Sequence, residues 1–295
     1  MLTLGLPALT LSIGCAVAYS AADYFRKAIP LSASAPLALF YAFVLETPVL
    51  AAWLLVSGDI RLTADYVWPG LVAALIGLGA NMFFIIAVRR SPLSLMVPLL
   101  ALIPVTTTLL GGAALGEWPK PLQGVGIVTV VVGLFILYIP TDGGFHPLHV
   151  WRHFLREPGA RPMIGVVTLW SLSPPVDKVC VAASSVGMHG LLQLMILWIT
   201  LGGWLLFRGG PRALIAPRAA WKPLIGGALA AGLAYGLQLA AYKIALVGIV
   251  ELFKRSIGLV SALIFGRAYF QEKITGPKIA GIAVMAAGLA IVLAN

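Results

Sequence analysis

The segment Glu251-Leu252-Phe253-Lys254-Arg255 sets one acid and two bases inside an apolar stretch bounded by Lys243 and Arg267. With the acid at i and the bases at i+3 and i+4, both cations can approach the carboxylate along one face of a helix. If that stretch crosses a bilayer, the charges lie near its midplane. A Lys or Arg there is unfavourable by roughly 2.5–3.5 kcal/mol even on insertion scales, so it must face a polar cavity or a partner. One carboxylate balances one of two cations, which leaves a positive charge for a ligand anion or for an acid of another segment. In such a site Arg255 would be a two-point clamp on a carboxylate or phosphate, and Lys254 a point charge.

Other polar residues are candidates for the same cavity. Glu46 lies in the middle of an apolar segment with no cation near it in sequence; a lone buried carboxylate can carry a proton, which makes Glu46 the candidate proton-coupling residue. Alternatively it pairs with Lys254 or Arg255. Asp177-Lys178 follows Pro174-Pro175, a pair expected to break its helix beside charged side chains. Asp23-Tyr24-Phe25-Arg26-Lys27 repeats the acid-and-two-bases pattern near a segment end, where the bases can reach the interface by snorkelling. Asn81, Gln193 and Gln238 are intramembrane amides, which bond helix to helix or contact a solute. Tyr19, Trp170, Tyr235 and Tyr242 can line a pocket or pack. The substrate-binding set expected from these residues is Lys254, Arg255, Glu251, Asp177, Lys178, Asn81, Gln238 and Tyr242.

The elements that carry these residues are helices in a membrane. Of the 295 residues 60% are hydrophobic and 10% charged, far below the roughly 25% charged residues of soluble domains. Apolar runs of about 20 residues, the length that crosses about 30 Å of hydrocarbon, recur without strand-like alternation. Spans are expected near 6–29, 35–57, 67–88, 92–113, 119–139, 162–183, 189–207, 223–242, 246–266 and 276–294. The net charge of +10 falls mostly at segment ends and suits lipid headgroups, so no nucleic-acid partner is expected. Cys15 and Cys180 lie inside apolar segments with neither zinc spacing nor a disulfide framework. His146, His149 and His153 lack an apparent fourth ligand, so neither a metal nor another cofactor is expected. The start lacks a basic n-region, and a cleaved signal peptide is not expected.

The polar stretch 141–161 reads as an interfacial linker between a first five-helix repeat, 1–140, and a second, 162–295. At an offset of 155, Gly111, Glu117, Gly126 and Gly133 meet Gly266, Glu272, Gly281 and Gly288. At an offset of 151, Gly14, Ser20 and Lys27 meet Gly165, Ser171 and Lys178, and Trp53-Leu54-Leu55 meets Trp204-Leu205-Leu206. An odd number of spans per copy makes the repeat inverted, an architecture that puts a solute site at the midplane between the halves. Glu117 and Glu272 read as helix-starting or loop-fixing acids.

Two such halves, each with a Pro- or Gly-rich fourth span, a glycine, a short linker with Glu and a glycine-spaced last span, resemble the EamA type of the drug/metabolite transporter superfamily. The ninth span is also similar to the Lys-Arg pair of the triose-phosphate and nucleotide-sugar branch, where that pair binds phosphate. The resemblance implies an all-α membrane protein of ten helices, not an enzyme. It implies a secondary transporter of a small metabolite working by alternating access, with an anionic or amino-acid-like solute and coupling to protons or exchange. A monomer or homodimer in a bacterial inner membrane is expected; a lipid flippase or a non-transporting partner protein is the alternative. Orientation is open: Lys and Arg gather in alternate connections, which favours both termini outside, whereas the family resemblance favours both inside.

Overall fold

The computed structural model describes residues 6–106, 120–139, 154–245 and 247–293, and a helical segment stands at each position where the sequence places a span. They are α1 (Leu6–Ala28), α2 (Ala35–Ser57), α3 (Val67–Arg90), α4 (Leu93–Thr106), α5 (Pro121–Leu137), α6 (Ala160–Ala182), α7 (Val186–Gly209), α8 (Trp221–Ile244), α9 (Val247–Ala268) and α10 (Gly276–Leu293). Five of these regions are long and apolar enough to cross a membrane: α1, α2, α3, α7 and α8, with the short turns that lead into α3 and α8. The helix α9 has the length, at 22 residues, but carries the charged cluster. Gly111, Glu117, His146, His149 and His153 lie outside the described residues.

Local chemistry repeats between the halves. Ser34 caps α2 by accepting from the Leu37 amide at 3.4 Å, and Ser185 caps α7 by accepting from Met188 at 3.2 Å. The two caps are 151 residues apart, the offset that aligns the first spans of each copy. Gly58 and Gly210 end the same two helices with φ of 63° and 62°, a left-handed φ that favours glycine. Each second helix thus starts on a serine and stops on a glycine.

Packing obeys the same exchange. The dominant pairings are α1 with α8, α3 with α6, α2 with α7 and α5 with α10. Exchanging the halves turns the first into the second and leaves the third and fourth unchanged. At α5–α10 the repeat-matched glycines explain themselves: a Cβ on Gly133 would stand 2.8 Å from the Gly281 carbonyl oxygen, and one on Gly288 would stand 2.9 Å from that of Gly126. The backbones touch there twice, at equivalent places.

One element differs from expectation, and a second, the acid Glu272, has its expected role at a helix start but on a helix of the other half. Pro174 and Pro175 withdraw two amide donors from α6, yet the helix runs unbroken from Ala160 to Ala182; the turns on either side hold it, and the expected helix break is absent. Glu272 does not serve its own helix. Its carboxylate accepts from the amides of Leu93 at 2.6 Å and Ser94 at 3.0 Å, capping the start of α4 in the other half. A Cβ on Gly266 would come within 2.7 Å of that carboxylate, and the Gly266 carbonyl accepts from the Glu272 amide. The glycine and the acid of the linker motif therefore act as one unit. At the same end of the bundle Lys27 donates to the Ser91 carbonyl, and the Ser91 hydroxyl donates to Glu157 and accepts from the Gly159 amide. Opposite it the α2–α3 and α6–α7 turns join, with Thr63 donating to the Ala183 carbonyl.

Candidate functional site

Between the halves lies a cavity of about 1140 Å³, its mouth included, with walls from α1, α2, α3, α4, α6, α7, α8 and α9. Most of the residues singled out by type and spacing meet in it: Glu46, Asn81, Asp177, Gln193, Gln238, Tyr242, Glu251, Lys254 and Arg255 all face it. Lys178 does not. It is exposed on the outside of α6, because successive residues of a helix point about 100° apart; Asp177 is the inward member of the pair.

The α9 cluster closes on itself. Glu251 accepts from Lys254 at 2.6 Å, from Arg255 at 2.7 Å and from the Tyr242 hydroxyl at 2.8 Å. Glu251, Arg255 and Tyr242 are buried, so α8 supplies part of the frame that fixes the cations. Lys254 also donates to the Gln238 carbonyl oxygen and lies over the Tyr19 ring, 4.9 Å from its centre. Among the described residues the Nε of Arg255 is buried and has no hydrogen-bond partner.

Glu46 faces the same space from α2 and is 4% exposed. Among the described residues its Oε1 is buried without a partner, and Glu46 forms no ion pair with Lys254 or Arg255. The rival pairing expected from the sequence is therefore not made. Asn81 donates its amide to the Gly77 carbonyl of its own helix at 2.9 Å.

One correction changes the charges counted in the wall. Asp23 and Arg26 do not snorkel to a surface; they pair at 3.4 Å with side chains 14% and 12% exposed and line the cavity. Burial of the end of α1 against α9 and α3 holds them inward. The wall thus holds Asp23, Glu46, Asp177 and Glu251 against Arg26, Lys254 and Arg255. The unmatched positive charge of the α9 sequence disappears once the acids of the other helices are counted.

Sequence reasoning alone does not single out His189. It is fully buried, 3.3 Å from Asp177 through Nε2 and 3.0 Å from the Tyr66 hydroxyl through Nδ1. Its partners lie across two turns, so no spacing within one helix points to it; an isolated histidine beside glycines at the start of an apolar helix is the available hint. Ser173, one turn before Asp177, donates to it at 3.0 Å and also lines the cavity.

Comparison with known proteins fits this arrangement. No curated protein matches the chain. A solved structure titled only "Crystal structure of protein" has the same fold, with a TM-score of 0.64 at 16% identity over 97% of this chain and 96% of that one. The sequence profile of the EamA-like transporter family matches residues 6–139 and 159–294, one match for each half. Two matched halves built around one shared polar cavity make this chain a member of the EamA-like transporter family, an integral multi-pass membrane protein of a family that transports small solutes.

Proposed function

We propose that this protein is a ten-span secondary transporter that carries a small amino-acid-like metabolite across a bacterial inner membrane by alternating access. One observation carries the reading: Arg255 and Glu46 both line the cavity, and among the described residues the Nε of Arg255 and the Oε1 of Glu46 are buried without hydrogen-bond partners. Buried polar groups without partners are costly, about 1–3 kcal/mol each, so a site that keeps both is shaped for a ligand that supplies them. A solute with a carboxylate for Arg255 and an ammonium for the acids fits a wall bearing both signs of charge. Lys254, Gln238 and Tyr242 then orient the carboxylate end, and Asn81 lines the same cavity. Glu46 is the residue that carries a coupling proton, since a buried carboxylate paired with no cation is stabilised by binding one. The transporting assembly is a monomer or a homodimer. Rocking of one half against the other exposes the site to each side in turn.

The test is uptake by purified protein in liposomes, with amino acids, sugar phosphates and dicarboxylates supplied side by side. Saturable uptake of an amino acid is expected, with loss of at least tenfold in the double variant Lys254→Ala with Arg255→Ala. Normal uptake by that variant would sink the site assignment. Thermal stabilisation by lipids alone would favour a flippase.

A further inference from the structure

A second buried polar constellation stands at the end of the cavity nearest the α6–α7 turn. Asp177 is 4% exposed and His189 fully buried. Asp177 Oδ2 accepts from Ser173, and Oδ1 faces His189 Nε2 at 3.3 Å. On the far side of the ring, His189 Nδ1 faces the Tyr66 hydroxyl at 3.0 Å. That hydroxyl accepts from Gln193 Nε2 at 3.2 Å, and Gln193 also donates to the Gly70 carbonyl at 2.8 Å. In the tautomer that carries the imidazole proton on Nε2, this proton faces Asp177, with the Tyr235 hydroxyl 3.4 Å from the same nitrogen, and the Tyr66 hydroxyl donates to Nδ1.

No cation stands where one would be needed. Among the described residues no Lys or Arg lies within ion-pair distance of Asp177, and Lys178 points outward. The titratable groups that face the pair are Tyr66 from the turn before α3, Tyr235 and Tyr242 from α8, Tyr19 from α1 and Cys180 from α6. All of these are uncharged in their ordinary form. On α9, Lys254 and Arg255 are taken by Glu251, and on α1 Arg26 is taken by Asp23. With a neutral imidazole, the constellation holds one buried negative charge and no neutralising partner. Such a charge is costly in a low-dielectric site, and binding of one proton removes it.

We infer that Asp177 and His189 form a proton-binding site, linked through Tyr66 to the end of the bundle where the α2–α3 and α6–α7 turns meet. Proton uptake on Nδ1 forces the Tyr66 hydroxyl to turn, because its hydrogen can no longer point at the ring. The protonation state of the pair is thereby read at the turn that joins the halves. As a coupling site this rests on the transport reading; as a proton site it stands alone.

The experiment uses the full-length protein in lipid nanodiscs, without solute. Ring-15N-labelled histidine is followed by NMR from about pH 5 to 8, and the carboxyl of Asp177 by proton-induced infrared difference spectroscopy. His189→Gln and Asp177→Asn assign the signals, and Tyr66→Phe does so if either variant fails to fold. A protonation change is expected at the buried imidazole or its carboxylate, with loss of that change in His189→Gln or Asp177→Asn. A single neutral tautomer across the range, with no Asp177 carboxyl band, overturns the proposal. Because no solute is present, this result and the liposome result fail independently.

Discussion

By the offset of 155, α4 and α9 are the same helix in two copies, yet Met96, Leu99 and Leu100 of α4 stand where α9 carries Glu251, Lys254 and Arg255. In α4 the three side chains are buried in the apolar core, and Pro98 tightens the backbone into a 3₁₀ turn over Val97–Ala101. In α9 the equivalent turn is regular and holds a triad of charges bridged to α8. Elsewhere the copies agree, in their serine caps, in their left-handed glycines and in the doubled backbone contact of α5 with α10. The frame keeps the symmetry of the two halves, and the charged residues of the cavity on α9 stand where that symmetry is broken.

The harshest way to break that contrast is to remove the acid from α9. Glu251→Gln removes the carboxylate that bridges the half-buried Lys254 and the buried Arg255, a loss of about 3–5 kcal/mol for breaking a buried pair. The volume-conserving Met96→Leu in α4 should lose under about 1.5 kcal/mol. Thermal melts in detergent should therefore show a far larger drop for the α9 variant. Equal drops would mean that the charged triad is incidental to the fold.

The shared frame can be tested where the copies should behave alike. Gly133→Ala places a Cβ 2.7 Å from the Met285 amide nitrogen, and Gly288→Ala places one 2.7 Å from that of Val130. Both push backbone against backbone, so each should lose roughly 1–3 kcal/mol, the scale of overpacking. The melts of the two variants should fall together, whereas Gly124→Ala, with nothing within 4 Å of its Cβ, should be unharmed. A large difference between Gly133 and Gly288 would show that one half bears the contact more than the other.

Much of this frame was legible in the sequence because it is written in residues with one dominant use. Glycines at matched positions, prolines at segment starts and apolar runs gave the helices, and the offsets of 151 and 155 gave the halves. The α9 cluster was legible for the same reason, since buried charges have few uses. What spacing could not supply was orientation around a helix and contact across turns. Lys178 and Asp177 are neighbours in sequence and face opposite ways; Asp23 and Arg26 lie near a helix end yet turn inward; Glu272 caps a helix 179 residues before it. The partnership of His189 with Asp177 and Tyr66 joins two helices and the turn before a third, and no local pattern encodes it.

The smallest expected effect is the finest test of the repeat. Ser34 and Ser185 occupy equivalent caps, each accepting one otherwise unbonded amide at the start of α2 or α7. Replacing either by alanine should lose about 0.5–2 kcal/mol. Their surroundings differ, however: Ser185 is 1% exposed and lies four residues before His189, whereas Ser34 sits in an exposed stretch. In the buried cap, water cannot take over the amide left by the serine. Ser185→Ala should therefore melt lower than Ser34→Ala, and it alone should disturb the NMR signal of the His189 ring. Equal melts with an unchanged His189 signal would make the two caps interchangeable, and would place the break in symmetry in α4 and α9 rather than in the second helices.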